Sequence, residues 1–394
     1  SEMSPVGRTK TLPAFGSHVS KMSFAFASCQ NYPAGYFTPY RHMAEEDLDL
    51  VFHLGDYIYE SGVSATSIRP HNSPEIKTLD DYRNRYALYK SDSDLQLAHA
   101  KFPFVVTMDD HEVENDHAGL VPEDGQPVEP FLARKAAAFQ AYYENMPLRS
   151  SSLPSGFNMQ LYRRFNYGNL ANVHVLDTRQ FRGVQVNNGG GSPRTPESTS
   201  VDRSIMGEEQ EQWLLSGLYQ SQAHWNIIPQ QVFFCQRDVR IGDEKIYGMD
   251  AWDGYSANRD RILNFAKERG LSNLLVLTGD VHWNWANEIK ADFNNPDSEI
   301  LGAEFVGTSI TSGGDGYDIN DTQKAIIAEN PHLKFFNSQR GYVRCTLTPE
   351  SVQADYRVVP YVSRPGAPIS TRASFLMEKG KPGLQKTYDG AVTV

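Results

Sequence analysis

LDLVFHLGDYIYE, residues 48–60, decides how this chain reads: an apolar, β-prone run stops abruptly at Gly55 and Asp56, with Tyr59 close behind. A short apolar run closed by turn residues reads as a buried strand. The pattern recurs along the chain. SFAFAS (23–28) leads to Cys29, FPFVVTM (102–108) to Asp109, Asp110 and His111, ANVHVL (171–176) to Asp177, and NLLVLTG (273–279) to Asp280 and His282. Helix-like segments lie at 38–47, 131–145, 207–222 and 256–269. Alternating strands and helices predict an α/β sheet, whose sites gather at the carboxyl ends of its strands. The five polar strand ends are therefore expected on one rim. A single Asp after a strand is as often a turn residue as a ligand. Cys, Asp, Tyr and His recurring at that place are the residue types that metals require.

Composition bounds the rest. In 394 residues, 40% hydrophobic, 20 Tyr, 20 Phe and 5 Trp supply a large core, which excludes disorder as the main state. The 37 Lys+Arg against 48 Asp+Glu give a net charge of −11 and no basic run, against a nucleic-acid-binding surface. A small phosphate substrate remains compatible, because a bound cation can neutralise it locally. No apolar stretch approaches the roughly 18 residues of a membrane span. Three cysteines are too few for a disulfide framework and leave at least one unpaired. Residues 1–21 lack the features of a signal peptide, and 183–202, rich in Gly, Asn, Ser, Thr and Pro, read as a long surface loop.

Asp56 and Tyr59 form a hard, anionic pair able to reach one cation if the chain turns there. Cys29 would add a thiolate and His282 an imidazole, a set that suits a transition metal, with Fe(III) the natural choice for a phenolate. Asp110, Asp280 and a bridging Asp56 offer oxygen only and suit Ca(II) or Mg(II). The residues thus predict a mixed-metal centre, and paired cations roughly 3.5 to 4 Å apart serve in-line displacement at phosphorus.

GDYIYE resembles the G-D-x-x-Y motif of purple-acid-phosphatase-like metallophosphoesterases, MDDHEVEN their G-N-H-[ED] motif and TGDVHW their G-H-x-H motif. More closely, the segment 27–60, DDHEVENDHAG, AFQAYYENMPLR, LDTRQFR, TGDVHWNW and RGYVRCTLTPE together resemble the PhoD-type alkaline phosphatases, a group that includes a secreted phospholipase D. The resemblance implies a calcineurin-like sandwich of two mixed β-sheets flanked by helices, with the active site at strand carboxyl ends. It implies Fe(III) on Cys29, Asp56, Tyr59 and His282, and Ca(II) around Asp56, Asp110 and Asp280. It also implies hydrolysis of phosphomonoesters and phosphodiesters by a metal-activated hydroxide, in a secreted or periplasmic monomer. Where purple acid phosphatases carry a V-x-x-H histidine, this chain reads WNIIPQQ, with Gln230 and Gln231 in that neighbourhood. Fewer imidazoles and more carboxylates move the second site toward calcium.

His111 is expected to stabilise the transition state or protonate the leaving group. Asn115 and Arg134 are candidates for binding phosphate oxygens, whereas Asp253 and Arg340 are expected to be structural. The resemblance further implies that residues 1–21 are a linker or remnant of an absent N-terminal β-sandwich domain, and that 22–394 form the catalytic domain. Residues after 375 show no apolar helical period, so no closing C-terminal helix is expected, and an open site would favour diesters and larger substrates. The rival readings are a phospholipase D or phosphodiesterase using the same residues on a phospholipid or other diester, and a non-catalytic metal- or phosphate-binding protein.

Overall fold

The computed structural model describes residues 6–123 and 126–390. Two seven-stranded mixed sheets carry the fold. In order across the first lie β16 (Lys381–Asp389), β15 (Ser370–Glu378), β14 (Ser351–Val358), β13 (Gly341–Leu347), β1 (Met22–Ala27), β2 (Leu50–His53) and β3 (Phe104–Val106). Across the second lie β12 (Leu333–Asn337), β10 (Asn284–Lys290), β11 (Ile300–Val306), β9 (Leu274–Thr278), β7 (Trp225–Pro229), β5 (Ala171–Val175) and β4 (Arg163–Tyr167). β1, β2 and β3 run parallel in one sheet, and β5, β7, β9 and β11 in the other; the outer strands are antiparallel.

The parallel strands are apolar without alternation because both their faces are covered. Phe24 and Phe26 of β1 point into the core between the sheets, where they meet Val173, Ile227, Leu275, Leu277 and Phe305; Ala25 and Ala27 point the other way. On that outer side pack α1 (Thr38–Met43), α2 (Leu79–Lys90), α3 (Ser93–Lys101) and α4 (Val128–Asn145). The outer face of the second sheet, including Leu274 and Val276, is covered by α5 (Glu208–Gln220), α6 (Ser256–Glu268) and α7 (Asp321–Glu329). Each fully buried Phe or Leu contributes about 1.5 to 3 kcal/mol, so the inter-sheet layer fixes the sheets against each other.

All five expected strands are present, and the four expected helices are α1, α4, α5 and α6. The segment 183–202 is irregular and mostly exposed; it adds only a short turn and a two-residue strand, β6 (Gly191–Ser192), paired with β8 (Tyr247–Gly248). After residue 375 the chain completes β15 and forms β16 in place of a helix, as its lack of helical period allowed. Of the two expected segments, 1–5 and 391–394 lie outside the described residues. Cys29, Cys235 and Cys345 are all buried and unpaired.

Candidate metal centre

The two sheets touch at their carboxyl edges. Ser28, after β1, bridges to Ser309, after β11, and a Cβ on Gly279, after β9, would lie 2.6 Å from Ser28 Oγ. Glycine is therefore needed where the two strand-end loops cross. Gly55 has the same role inside the first sheet: with φ +110° its Cβ position lies 2.4 Å from Asp109 N. Past these glycines the chain must turn at once. Cys29, Asp56, Asp280 and His282 all adopt positive φ, between 55° and 62°, although none is glycine. Such backbone persists only where surrounding contacts over-determine it, and it clusters at functional sites.

The turns bring the expected ligands together. Donor atoms of Cys29, Asp56 and His282 lie within 4.8 Å of one another, as do those of Asp56, Asp110 and His111, and those of Asp109, Asp110 and Asp280. Tyr59 completes the first group, its hydroxyl 3.0 Å from Asp56 Oδ2 and 3.4 Å from His282 Nε2. Asp56 Oδ1 and Asp109 Oδ2 are buried without any hydrogen-bond partner among the described residues. A buried carboxylate oxygen without a partner is costly unless something else, such as a cation, meets it. Thiol, phenol, imidazole and carboxylate on one side, and carboxylates alone on the other, fit a transition metal beside a harder cation.

Electrostatics agree with that fit. Burial, reinforced by Asp56, pushes the Cys29 thiol well above its usual range, and the same two causes raise Tyr59. Burial and repulsion from Asp250 and Asp110 push Asp280 up to about 8 despite Arg179. Burial lowers His282 to about 3, with Arg340 adding to it, so its imidazole is neutral and free to ligate. His111 runs the other way: burial opposes its charge, but Glu60, Asp56 and Asp110 hold it well above its ordinary value. A cation placed among these donors would reverse the cost of ionising the thiol and phenol.

Several residues that hold the site were not singled out from sequence. Glu112 accepts from the N–H groups of Asp56 (3.0 Å), Tyr57 (2.6 Å) and Asp109 (2.8 Å), tying the β2 and β3 loops together. Glu60 accepts from His111 Nδ1 (2.7 Å) and from the backbone N–H of Asn115 (2.9 Å). Ser312 donates to Cys29 O at 2.8 Å and lies 2.6 Å from the Tyr59 hydroxyl. Arg179 is buried among acids: Nε on Asp109, Nη1 2.9 Å from Asp250, and Nη2 3.4 Å from Asp280 and 3.7 Å from Asp110. Glu60, Glu112 and Arg179 stand inside GDYIYE, DDHEVEN and LDTRQFR, so the motifs contained the signal, but a carboxylate aimed at backbone N–H groups has no distinctive spacing. Asp109 was legible as one of a strand-end pair, and it joins the oxygen cluster.

Three expectations change. Arg134 is not poised over the donors: its guanidinium bonds Glu114 Oε2 (2.6 Å), Glu75 (2.9 Å) and the Tyr82 hydroxyl (3.0 Å), which ties α4 to α2. Asp177 is a turn residue after all, its Oδ1 accepting from the N–H groups of Arg179 and Gln180. Asn115 lies beside the site, but its side-chain amide is turned to Asp116 (3.1 Å) and Glu123 (3.4 Å). Asp253 is structural as expected, bonded to Arg259 and to Arg237 N. So is Arg340, which clamps His282 O at 2.9 Å and Ser312 O at 2.6 Å. Gln230 and Gln231 bond Thr278 and Thr107, linking the ends of β7, β9 and β3 where a ligating histidine was absent.

A rim of two adjoining donor sets across two sheets, with a charged histidine between them, is the arrangement of a phosphoric ester hydrolase. The family model of PhoD-like phosphatases matches residues 24–356, and the chain belongs to that family. It is 59% identical over 390 residues to alkaline phosphatase D of Bacillus subtilis, covering 98% of this chain and 67% of that protein. A solved structure of PhoD superposes with a TM-score of 0.97 at 58% identity, covering 99% of this chain and 76% of that one.

Proposed function

We propose that the chain is an alkaline phosphatase hydrolysing phosphomonoesters and phosphodiesters at a mixed Fe(III) and Ca(II) centre. The observation that carries this is that Asp56 groups with Cys29, Tyr59 and His282 on one side and with Asp110 and His111 on the other, while Asp110 in turn groups with Asp109 and Asp280. Bound there, the cations would supply a lowered pKa to water and a field that stabilises charge on phosphoryl oxygens. The residues do the rest. Cys29, Asp56, Tyr59 and His282 would hold iron; Asp56, Asp110 and Asp280, with Asp109 beside them, would hold calcium. His111, charged and oriented by Glu60, is placed to donate its Nε2 proton to the departing alkoxide. Asn115 could reach phosphate oxygens only by releasing Asp116 and Glu123.

The calcineurin-like description is supported by two mixed sheets meeting at the site. Because each sheet supplies ligands, the catalytic unit would span residue 22 to the end of β16 at least. The family supports a secreted or periplasmic monomer acting on a small phosphate ester. Phospholipid diesters are the weaker alternative, since the relative is named as an alkaline phosphatase. No helix among the described residues is long and apolar enough to cross a membrane. The test is elemental analysis of the purified chain together with hydrolysis of p-nitrophenyl phosphate. Iron and calcium are expected in each chain, with turnover stopped by a chelator and restored by calcium. Full activity after exhaustive chelation would overturn the proposal.

A further inference from the structure

Arg237, which is only partly buried, is an anomaly among the arginines that pack into the core. Its guanidinium carbon lies 4.4 Å from the ring centroid of Phe233, 5.6 Å from Trp285 and 5.9 Å from Trp283. Stacking fixes the planar group and strips its faces of water. Yet no side-chain hydrogen bond or ion pair engages it among the described residues, and Nη1 is buried without a partner; only its backbone N–H is used, by Asp253. Arg179, Arg182, Arg259 and Arg340, its buried counterparts, each meet acceptors. A stacked guanidinium whose Nη1 is buried without an acceptor is an incomplete site rather than a finished structural tie.

Its position says what would complete it. Trp283 follows His282 directly, and the whole segment Asp280–Trp283 is partly exposed, so the stack stands at the rim of the donor cluster. Trp283 packs 5.7 Å from Phe336, which is 6.2 Å from the 42% exposed Tyr317, and the aromatic wall therefore continues outward from the cluster. Burial lowers the Arg237 pKa, while Asp253 and Asp280 favour its charge. It reaches none of the proposed ligands within ion-pair distance, so it is set back from the phosphorus under attack.

We propose that Arg237, backed by Trp283, forms a subsite that binds a second phosphate-type group of the substrate, beyond the one being hydrolysed. The inference rests on the hydrolase reading and adds a substrate class to it: esters carrying two or more phosphate groups. A planar fork held against aromatic rings is suited to bidentate contact with phosphate oxygens.

AMP and ADP differ by one phosphate, so their inhibition constants against p-nitrophenyl phosphate hydrolysis by the metal-loaded chain isolate the subsite. Quenching of tryptophan fluorescence would read binding independently of turnover. ADP is expected to bind more tightly than AMP. In Arg237→Met that preference should fall roughly tenfold to a hundredfold, with Arg237→Lys in between. Should the Met variant fail to fold, the Lys variant carries the test, because it keeps the charge and loses the fork. A wild-type chain with no preference for ADP, a preference that survives both substitutions, or equal loss for both nucleotides would overturn the subsite. A wild-type chain inert toward p-nitrophenyl phosphate would overturn the hydrolase reading itself.

Discussion

The two halves of the donor rim solve the same problem in different ways. Around Cys29 the unfavourable crowding is relieved by protons: burial keeps the thiol and phenol in their neutral forms, and Tyr59 donates to Asp56 at 3.0 Å. Around Asp109, Asp110 and Asp280 a fixed cation, Arg179, shares that work: it reaches all three, while burial raises Asp109 and, to about 8, Asp280. The difference has a consequence for folding without metal. The first half can wait as a neutral hydrogen-bonded group, whereas the second leans on one buried guanidinium that reaches all three carboxylates. Asp56 is the single side chain common to both, and its Oδ1 has no partner.

The largest effect should follow from removing that common member. Asp56→Asn replaces the shared carboxylate by a weak ligand and should lower kcat on p-nitrophenyl phosphate by about a thousandfold or more, the several kcal/mol that metal assistance supplies. Iron and calcium contents should both fall. Cys29→Ala is the contrasting probe: it should abolish the visible absorption expected of an iron thiolate or phenolate while sparing calcium. If Asp56→Asn kept either metal at full occupancy, the halves would not share a ligand.

Arg179→Met comes next and tests the second half alone. Removing one partner of a buried ion cluster costs about 3 to 5 kcal/mol, because the remaining carboxylates lose the cation that reaches all three. Urea denaturation in chelator should show that loss, and added calcium should restore much of it by supplying positive charge to the same carboxylates. Cys29→Ala in chelator should cost far less, since it removes a neutral group. A chelated Arg179→Met chain as stable as wild type would show that the guanidinium is not the compensating charge.

What the sequence disclosed follows from the same physics. Strands buried on both faces write themselves as unbroken apolar runs, so β1, β2, β3, β5 and β9 and the ligands directly after them were readable. Helices α2, α3 and α7 were not. In α2 the buried face is Tyr82, Arg85, Tyr86 and Tyr89, residues too polar to mark an apolar stripe, although its Thr78 and Asp81 capping box was in plain view. α3 buries only Leu95 and Ala98, and α7 buries none of its residues fully. In the site, ligands were legible because chemistry restricts their type. Glu60, Glu112, Ser312 and Arg179 act on backbone groups or on other side chains across as many as 283 residues of sequence, and no local pattern records such a contact. Arg134 misled for the complementary reason: charge near a motif says nothing about which acid it faces.

The smallest effect concerns His111, which lies between the halves and belongs to neither balance. Burial disfavours its charge, but Glu60, Asp56 and Asp110 raise its pKa well above 6.5 in the metal-free chain, and Glu60, which is no metal ligand, keeps its pull when cations bind. By linkage, that raised value contributes stability that is complete below the unfolded pKa of about 6.5 and is lost as pH climbs through the folded one. The same titration would set the alkaline limb of the rate profile, where the acid is lost. Glu60→Gln keeps a hydrogen-bond acceptor and removes the largest raising cause. The alkaline limb should then move down by about one pH unit, with kcat changing only a few-fold at neutral pH. The Asp56 and Arg179 balances should leave the metal contents of this variant intact. An alkaline limb that stayed in place would mean that the departing oxygen takes its proton from elsewhere, and that the charge on His111 serves only to hold Glu60 and the Asn115 backbone in register.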